Sequence, residues 1–254
     1  MAVIAVFNQK GGVGKTTTCL NVTAALSIAQ QSPIALDLDP QGHLTLASGL
    51  KEVRNDTSMA AFFKHKTPLA DLLRDTSRGW QAIPAVLELA KIDALFGSDP
   101  QAATMLKKGL QEDLSLTGAP IMIDCCPMLG VLTLNALLAS DRVLIPVSAD
   151  YLSLQGVHRL DSALNVLETR LKRKIERRIL VTRFDSRRKL SFEIYEKLKG
   201  RFGDVVCNTR ISETVGLATS PMHGQDIFQY APKSPGAADY QALTEELWNS
   251  GFFA

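Results

Sequence analysis

No stretch of this 254-residue chain approaches the ~20 consecutive apolar residues of a membrane helix, so no helical membrane span is expected. Net charge is nearly absent as well. With 28 basic residues against 26 acidic ones, formally +2, any hold on a polyanion or an anionic lipid surface has to come from a local cluster. Cysteine is scarce: the four residues, at 19, 125, 126 and 207, form no CxxC pair and no regular framework. That excludes a disulfide scaffold and fits reduced thiols in a cytoplasm better than a zinc site. His43, His65, His158 and His223 likewise show no metal-ligand spacing. Internal repeats and low-complexity tracts are missing, and the opening Met1–Lys10 has no basic leader region, so a cytoplasmic protein without a secretory signal is expected.

What is present, 46% apolar and 21% charged residues, suffices to bury a full core, and α/β chains of this size often form one domain. Apolar runs bounded by turn residues recur at 2–7, 33–38, 121–124, 142–146, 178–182 and 205–208. Being almost continuously apolar, they read as strands covered by helices on both faces. Helical patterns begin near Gly14, Thr133, Leu154, Ser191 and Ala237. The expected fold is therefore α/β, a doubly wound, mainly parallel sheet with helices on both faces, in a single domain over 1–254 with no separate helix-turn-helix ahead of the first strand. Residues 51–118, interrupted by Pro68, Pro84, Pro100 and the polar break Gly97-Ser98-Asp99, read as helical insertions.

The most specific local signal is Lys10-Gly11-Gly12-Val13-Gly14-Lys15-Thr16-Thr17, between the first strand and the first helix. Glycines permit the close backbone approach that phosphates need, and a helix N-terminus adds converging N–H groups and its positive dipole end. In such a P-loop, Gly11, Gly12, Val13 and Gly14 cradle a nucleotide's phosphates and Lys15 reaches the β- and γ-phosphates. Thr16 places its hydroxyl on Mg²⁺, and Thr17 adds a contact to the α-phosphate. One position departs from the general pattern: six residues before Lys15 stands Gln9 instead of glycine, and Lys10 follows it.

That variant, KGGVGKT, resembles the deviant Walker A group, and further segments resemble the ParA/MinD-like partition ATPases, above all their ParA (Soj-like) branch. Asp37 to Thr45 is similar to the pattern DxDPQGNxT, with His43 in the place of asparagine. Ile121 to Gly130, IMIDCCPMLG, is similar to the Walker B segment IIIDCPPSLG, and 132–137, 143–147 and 151–156 continue the likeness, which thins toward 230–237. It covers most of the chain. The resemblance implies a P-loop NTPase that binds ATP with Mg²⁺, forms a homodimer with ATP and hydrolyses it. Asp124, ending an apolar strand, would accept hydrogen bonds from Mg²⁺-bound water, with Thr16 as the metal's other protein contact; a strand-end turn aspartate is the competing reading. Asp39 would orient attacking water for in-line transfer, against a helix N-cap before Pro40. Asp37 suits a supporting role toward the phosphate loop. The resemblance also implies that Lys10 reaches across a nucleotide-sandwich dimer to the partner's phosphates, which makes Lys10, Lys15 and Asp39 the expected catalytic set. Cys125 and Cys126 invite comparison with the cluster-bridging nitrogenase iron protein, but without its glycine-flanked cysteines they read as small apolar fillers.

Positive charge is segregated: residues 168–201 hold 13 Lys and Arg against 5 Asp and Glu, a net of +8, leaving −6 elsewhere. Lys172, Arg173 and Lys174 stand at a helix end; Arg187, Arg188 and Lys189 follow the next strand. Such clusters can bind DNA through its phosphates without reading bases, and a solvated basic face is the alternative. The resemblance implies nonspecific DNA binding by the ATP dimer, association with the nucleoid, and a ParB-like adaptor that stimulates hydrolysis, so partition of a plasmid or chromosome leads. Gly216 stands where the family commonly has arginine and Ser212-Glu213 where it has Pro-Arg, which narrows the expected DNA footprint and adenine contacts. Positioning of a protein cargo, such as a chemotaxis cluster or carboxysome, uses the same chemistry. A MinD-like membrane ATPase fits poorly, because residues 239–254 carry Asp239, Glu245 and Glu246 and no Lys or Arg. A small-molecule ligase of the same fold lacks a substrate motif here.

Overall fold

Alternate side chains of a strand point to opposite faces, so an apolar strand needs a helical layer on each side. The computed structural model, which describes residues 2–97, 99 and 101–254, meets that requirement with one eight-stranded sheet. Ser98 and Pro100, part of the expected break near residue 98, lie outside the described residues. The strands are β1 (Val3–Val6), β2 (Ile34–Asp37), β3 (Arg74–Asp75), β4 (Gln81–Ile83), β5 (Ile121–Asp124), β6 (Arg142–Ser148), β7 (Glu176–Phe184) and β8 (Val206–Ser212). Their order is β3-β4-β2-β5-β1-β6-β7-β8, parallel throughout except for the β3/β4 pair.

The helices are α1 (Lys15–Ile28), α2 (His43–Ala47), α3 (Met59–His65), α4 (Leu69–Leu72), α5 (Ile92–Phe96), α6 (Met105–Gly109), α7 (Val131–Ala139), α8 (Tyr151–Leu171), α9 (Lys189–Phe202), α10 (Val215–Thr219), α11 (Ile227–Tyr230) and α12 (Pro235–Asn249). On one face, Ile4, Val6 and Leu144 pack with Leu20 and Leu26 of α1 and Tyr240 and Leu243 of α12. On the other, Val3, Ala5 and Ile123 pack with Phe62 of α3, Leu132 of α7, Leu160 of α8 and Ile194 of α9. Among the described residues no helix is long and apolar enough to cross a membrane.

All six expected strands are present, with β6, β7 and β8 longer than their apolar runs. Reading 51–118 as purely helical insertions is corrected: β3 and β4 extend the sheet there. β4 has only three residues before Pro84 and β3 only two, too short for a period to show. β4 is held by pairing with β2, distant in sequence, and β3 by pairing with β4. The acids near the C-terminus also have a fold role. Glu246 accepts the N–H groups of Asn208 and Thr209, and Asp239 that of Ser212, so α12 occupies donors along the outer strand β8. Phe252 and Phe253 are buried in the α1/α12 layer.

β1 lies between β5 and β6, with β2 beyond β5, so the loops after β1, β2 and β5 converge at one edge, the topological switch where α/β sheets bind ligands. The β3–β4 turn is secured by Arg78, whose guanidinium is buried against Asp226 and donates to Gly224 O at 2.6 Å, while its carbonyl accepts from Ser27 Oγ at 2.9 Å. Arg78→Ala strands the Asp226 carboxylate. Urea unfolding should show a loss of roughly 3–5 kcal/mol; a change within error of zero would show that the pair adds nothing.

Candidate nucleotide site

The turn from β1 into α1 can form only with glycine at two points: Gly12 and Gly14 take φ of +73° and +85°, where a Cβ would be strained. A Cβ on Gly11 or Gly12 would meet nothing within 4 Å, so the loop borders open space rather than packed protein. Thr182 Oγ1 donates to Val13 O at 2.8 Å and ties the loop to β7. The loop opens on a cleft of about 940 Å³ whose lining includes Gly11, Gly12, Gly14, Lys15, Thr16, Thr17 and Asp39. Val13 is buried beneath it.

Lys15, the first residue of α1, is buried, with Nζ donating to Lys10 O at 3.1 Å. Burial lowers its pKa, against the opposing pull of Asp124 and Asp39. Thr16 Oγ1 donates to Asp124 Oδ2 at 2.7 Å. Asp124 is fully buried, and its Oδ1 takes no hydrogen bond among the described residues. Burial, reinforced by the charge of Asp37, pushes its pKa well above the carboxylate range. A buried carboxylate with an orphaned oxygen beside a threonine hydroxyl is a donor set that a hard divalent cation completes. The residues fit Mg²⁺.

Asp37, expected from sequence to support the phosphate loop, sits opposite Asp124 in the β2/β5 register and bonds instead to the turn after β2. Its oxygens accept from Asp39 N, Thr45 N and Thr45 Oγ1 at 3.1, 2.8 and 2.7 Å, so it orders the turn that carries Asp39 and the start of α2. Asp39 is buried at the cleft wall, and its Oδ1 accepts from Gln41 N at 2.9 Å.

Lys10 folds back within its own chain. Nζ donates to both Asp150 oxygens at 2.8 and 2.7 Å and to Ser153 Oγ at 3.0 Å, at the start of α8. Partial burial acts to raise the Asp150 pKa, and hydrogen bonds from Lys10, Ser148 and Ser153 outweigh it, holding the group at about 2. Cys125 and Cys126 are both buried, and burial raises both thiols.

The two basic clusters lie at opposite ends of β7, whose nine residues span ~30 Å. Arg187, Arg188 and Lys189 are on the nucleotide edge with side chains 88%, 68% and 91% exposed, the arginines paired with Asp185 and the lysine near Glu193. At the far edge Lys172 and Lys174 are exposed. Arg173 donates to the carbonyls of Leu138 and Ser140 at 3.0 and 2.7 Å, a fastening within the fold. Sequence reasoning missed Asp93, Thr182, Leu217 and Tyr240, which line the cleft, and the pairing of Arg183 with Glu213 there. They come from distant segments, and no local spacing marks them.

A family model described as an AAA domain matches residues 1–177. Sporulation initiation inhibitor protein Soj of Bacillus subtilis is 34% identical over 251 residues, covering 98% of this chain and 99% of its own. Chromosome-partitioning ATPase Soj of Thermus thermophilus is 37% identical over 248 residues, 96% of this chain and 94% of its own. Among solved structures, cobyrinic acid a,c-diamide synthase of Mycobacterium smegmatis, with bound ATP analog and magnesium, has a TM-score of 0.84 at 29% identity, covering 99% of this chain and 97% of that one.

Burial raises Asp37 from 3.8 to about 6. A carboxyl whose folded pKa exceeds its unfolded value contributes stability that is complete below 3.8 and is lost as pH rises through 6. The unfolding free energy of the ligand-free wild type minus that of Asp37→Asn should therefore fall by roughly 3 kcal/mol over that window. Denaturant titrations at several pH values check it, and a flat difference would place the Asp37 pKa in the ordinary range.

Proposed function

The chain belongs to the ParA/Soj family of partitioning ATPases, and from that membership we propose that it is a Mg²⁺-dependent ATP hydrolase acting as one domain over 1–254. It forms an ATP-dependent homodimer, binds DNA without reading sequence, and moves plasmid or chromosome cargo through a ParB-like partner, in the cytoplasm and over the nucleoid. The observation that carries this reading is the convergence of Lys15, Thr16, Asp39 and Asp124 around one glycine-rich loop.

In this reading the N–H groups of Gly11 to Thr17 and the Lys15 ammonium hold the phosphates, whose charge offsets the cost of keeping Lys15 buried and protonated. Thr16 and Asp124 would hold Mg²⁺, which when bound neutralises charge on the β- and γ-phosphates. Asp39 orients water. Gln41 N fixes one carboxylate oxygen, and the other is the acceptor for a water aligned with the γ-phosphoryl group. Lys10 has to leave Asp150 and Ser153 to reach a partner's phosphates, so dimerisation exchanges one charge pair for another. Arg187, Arg188 and Lys189 supply the DNA face, and two copies in a dimer double its phosphate contacts. Lys172 and Lys174 form a separate patch.

Asp39→Ala should retain MgATP binding while kcat falls by ~10²- to 10⁴-fold; undiminished single-turnover hydrolysis would assign water orientation to another group. Co-sedimentation with ATP, ADP or no nucleotide tests the DNA half. DNA should be retained with ATP alone, and replacing Arg187, Arg188 and Lys189 by alanine should weaken binding and flatten its salt slope by up to ~3 per protomer. Retention that is independent of nucleotide, or unaffected by the triple change, would count against this face.

A further inference from the structure

We infer that Asp93 is a positioning residue of the nucleotide site, fastening the loop after Asp124 from a separate wall of the cleft. The inference rests on the ATPase reading above. Asp93 comes from α5, within the region read from sequence as an insertion, and lines the cleft with Ala90. Its Oδ1 accepts the backbone N–H of Val131, the first residue of α7. Residue 130 has to be glycine for that contact. Its backbone is extended and unstrained, with φ of −125°, yet a Cβ there would collide with both carboxylate oxygens of Asp93.

One turn along α7, the buried Asn135 donates to Ala102 O at 2.7 Å and accepts from Leu106 N at 2.9 Å. The helix is thus joined to the 92–106 segment at two successive levels. Residues 125–130 span from Asp124 to this clamp, and Cys126, Pro127 and Met128 line the cleft. Asp39 and Asp93 line the same cleft as this stretch. By satisfying an otherwise unpaired N–H at the start of α7 and opposing its dipole, Asp93 holds the cleft wall formed by 126–128. Lys15 and the phosphate loop are anchored elsewhere, through α1 and Thr182. Loss of the clamp should disturb the geometry around Asp39 and leave the grip on phosphate.

Asp93→Ala and Gly130→Ala remove one contact from its two sides, whereas Asp93→Asn keeps an oxygen that can accept from Val131. Three quantities are measured at a temperature where circular dichroism shows every variant folded: kcat, the MgATP dissociation constant, and the rate of iodoacetamide alkylation of Cys126 by peptide mass spectrometry. Both alanine variants should lose ~10- to 100-fold in kcat, keep a near wild-type dissociation constant, and alkylate Cys126 faster. Asp93→Asn should restore kcat toward wild type. Wild-type kcat in both alanine variants, or equal losses in binding and turnover, would overturn the inference. Should the wild type neither bind nor hydrolyse MgATP, the ATPase reading fails, and an unchanged Cys126 rate in the alanine variants would independently remove the clamp.

Discussion

Two carboxylates face each other across the β2/β5 register, Asp37 and Asp124, each with an exposure of 1% or less. Desolvation raises both pKa values, with the charge of Asp39 adding to it at Asp37 and that of Asp37 at Asp124, and a core holds such a pair only when neighbours supply donors or positive charge. Asp37 obtains three donors from the turn and helix that follow it. Asp124 obtains one, from Thr16, and stands near the buried Lys15. The asymmetry separates their work. The satisfied carboxylate organises the Asp39 turn, and the unsatisfied one is left for a cation.

Charge compensation recurs across the surface. Lys10 is neutralised within its own chain by Asp150, and among the basic residues near β7 Lys174, Arg177, Arg178, Arg183, Arg187 and Arg188 form ion pairs with Asp161, Glu168, Glu176, Asp185 or Glu213. A basic segment read from sequence therefore overstates the charge available to a polyanion. Arg187, Arg188 and Lys189, with side chains 88%, 68% and 91% exposed, are at the nucleotide edge of the sheet.

The region between β2 and β5 is neither an appendage nor purely helical. It adds two short strands, covers one sheet face with Met59, Phe62 and Phe63, and supplies Ala90 and Asp93 to the cleft. Because Asp93 and Asn135 join this region to α7, its packing and the geometry of the nucleotide site are not independent.

Features written in contiguous residues were legible from the sequence alone: six apolar strands, the phosphate loop with Lys15 and Thr16, and the aspartates at 39 and 124. Each depends on local chemistry, a run of buried side chains, two left-handed glycines, a helix start or a strand end. Only the tertiary structure decided which of these meet. It placed Asp37 against Asp124, bonded Thr16 to Asp124, folded Lys10 onto Asp150, separated the basic clusters by the length of β7, and brought Asp93 to Val131. The physical reason is range: propensity and periodicity act over a few residues, whereas these contacts join groups up to 140 residues apart and exist because strand order brings the loops together at one edge of the sheet.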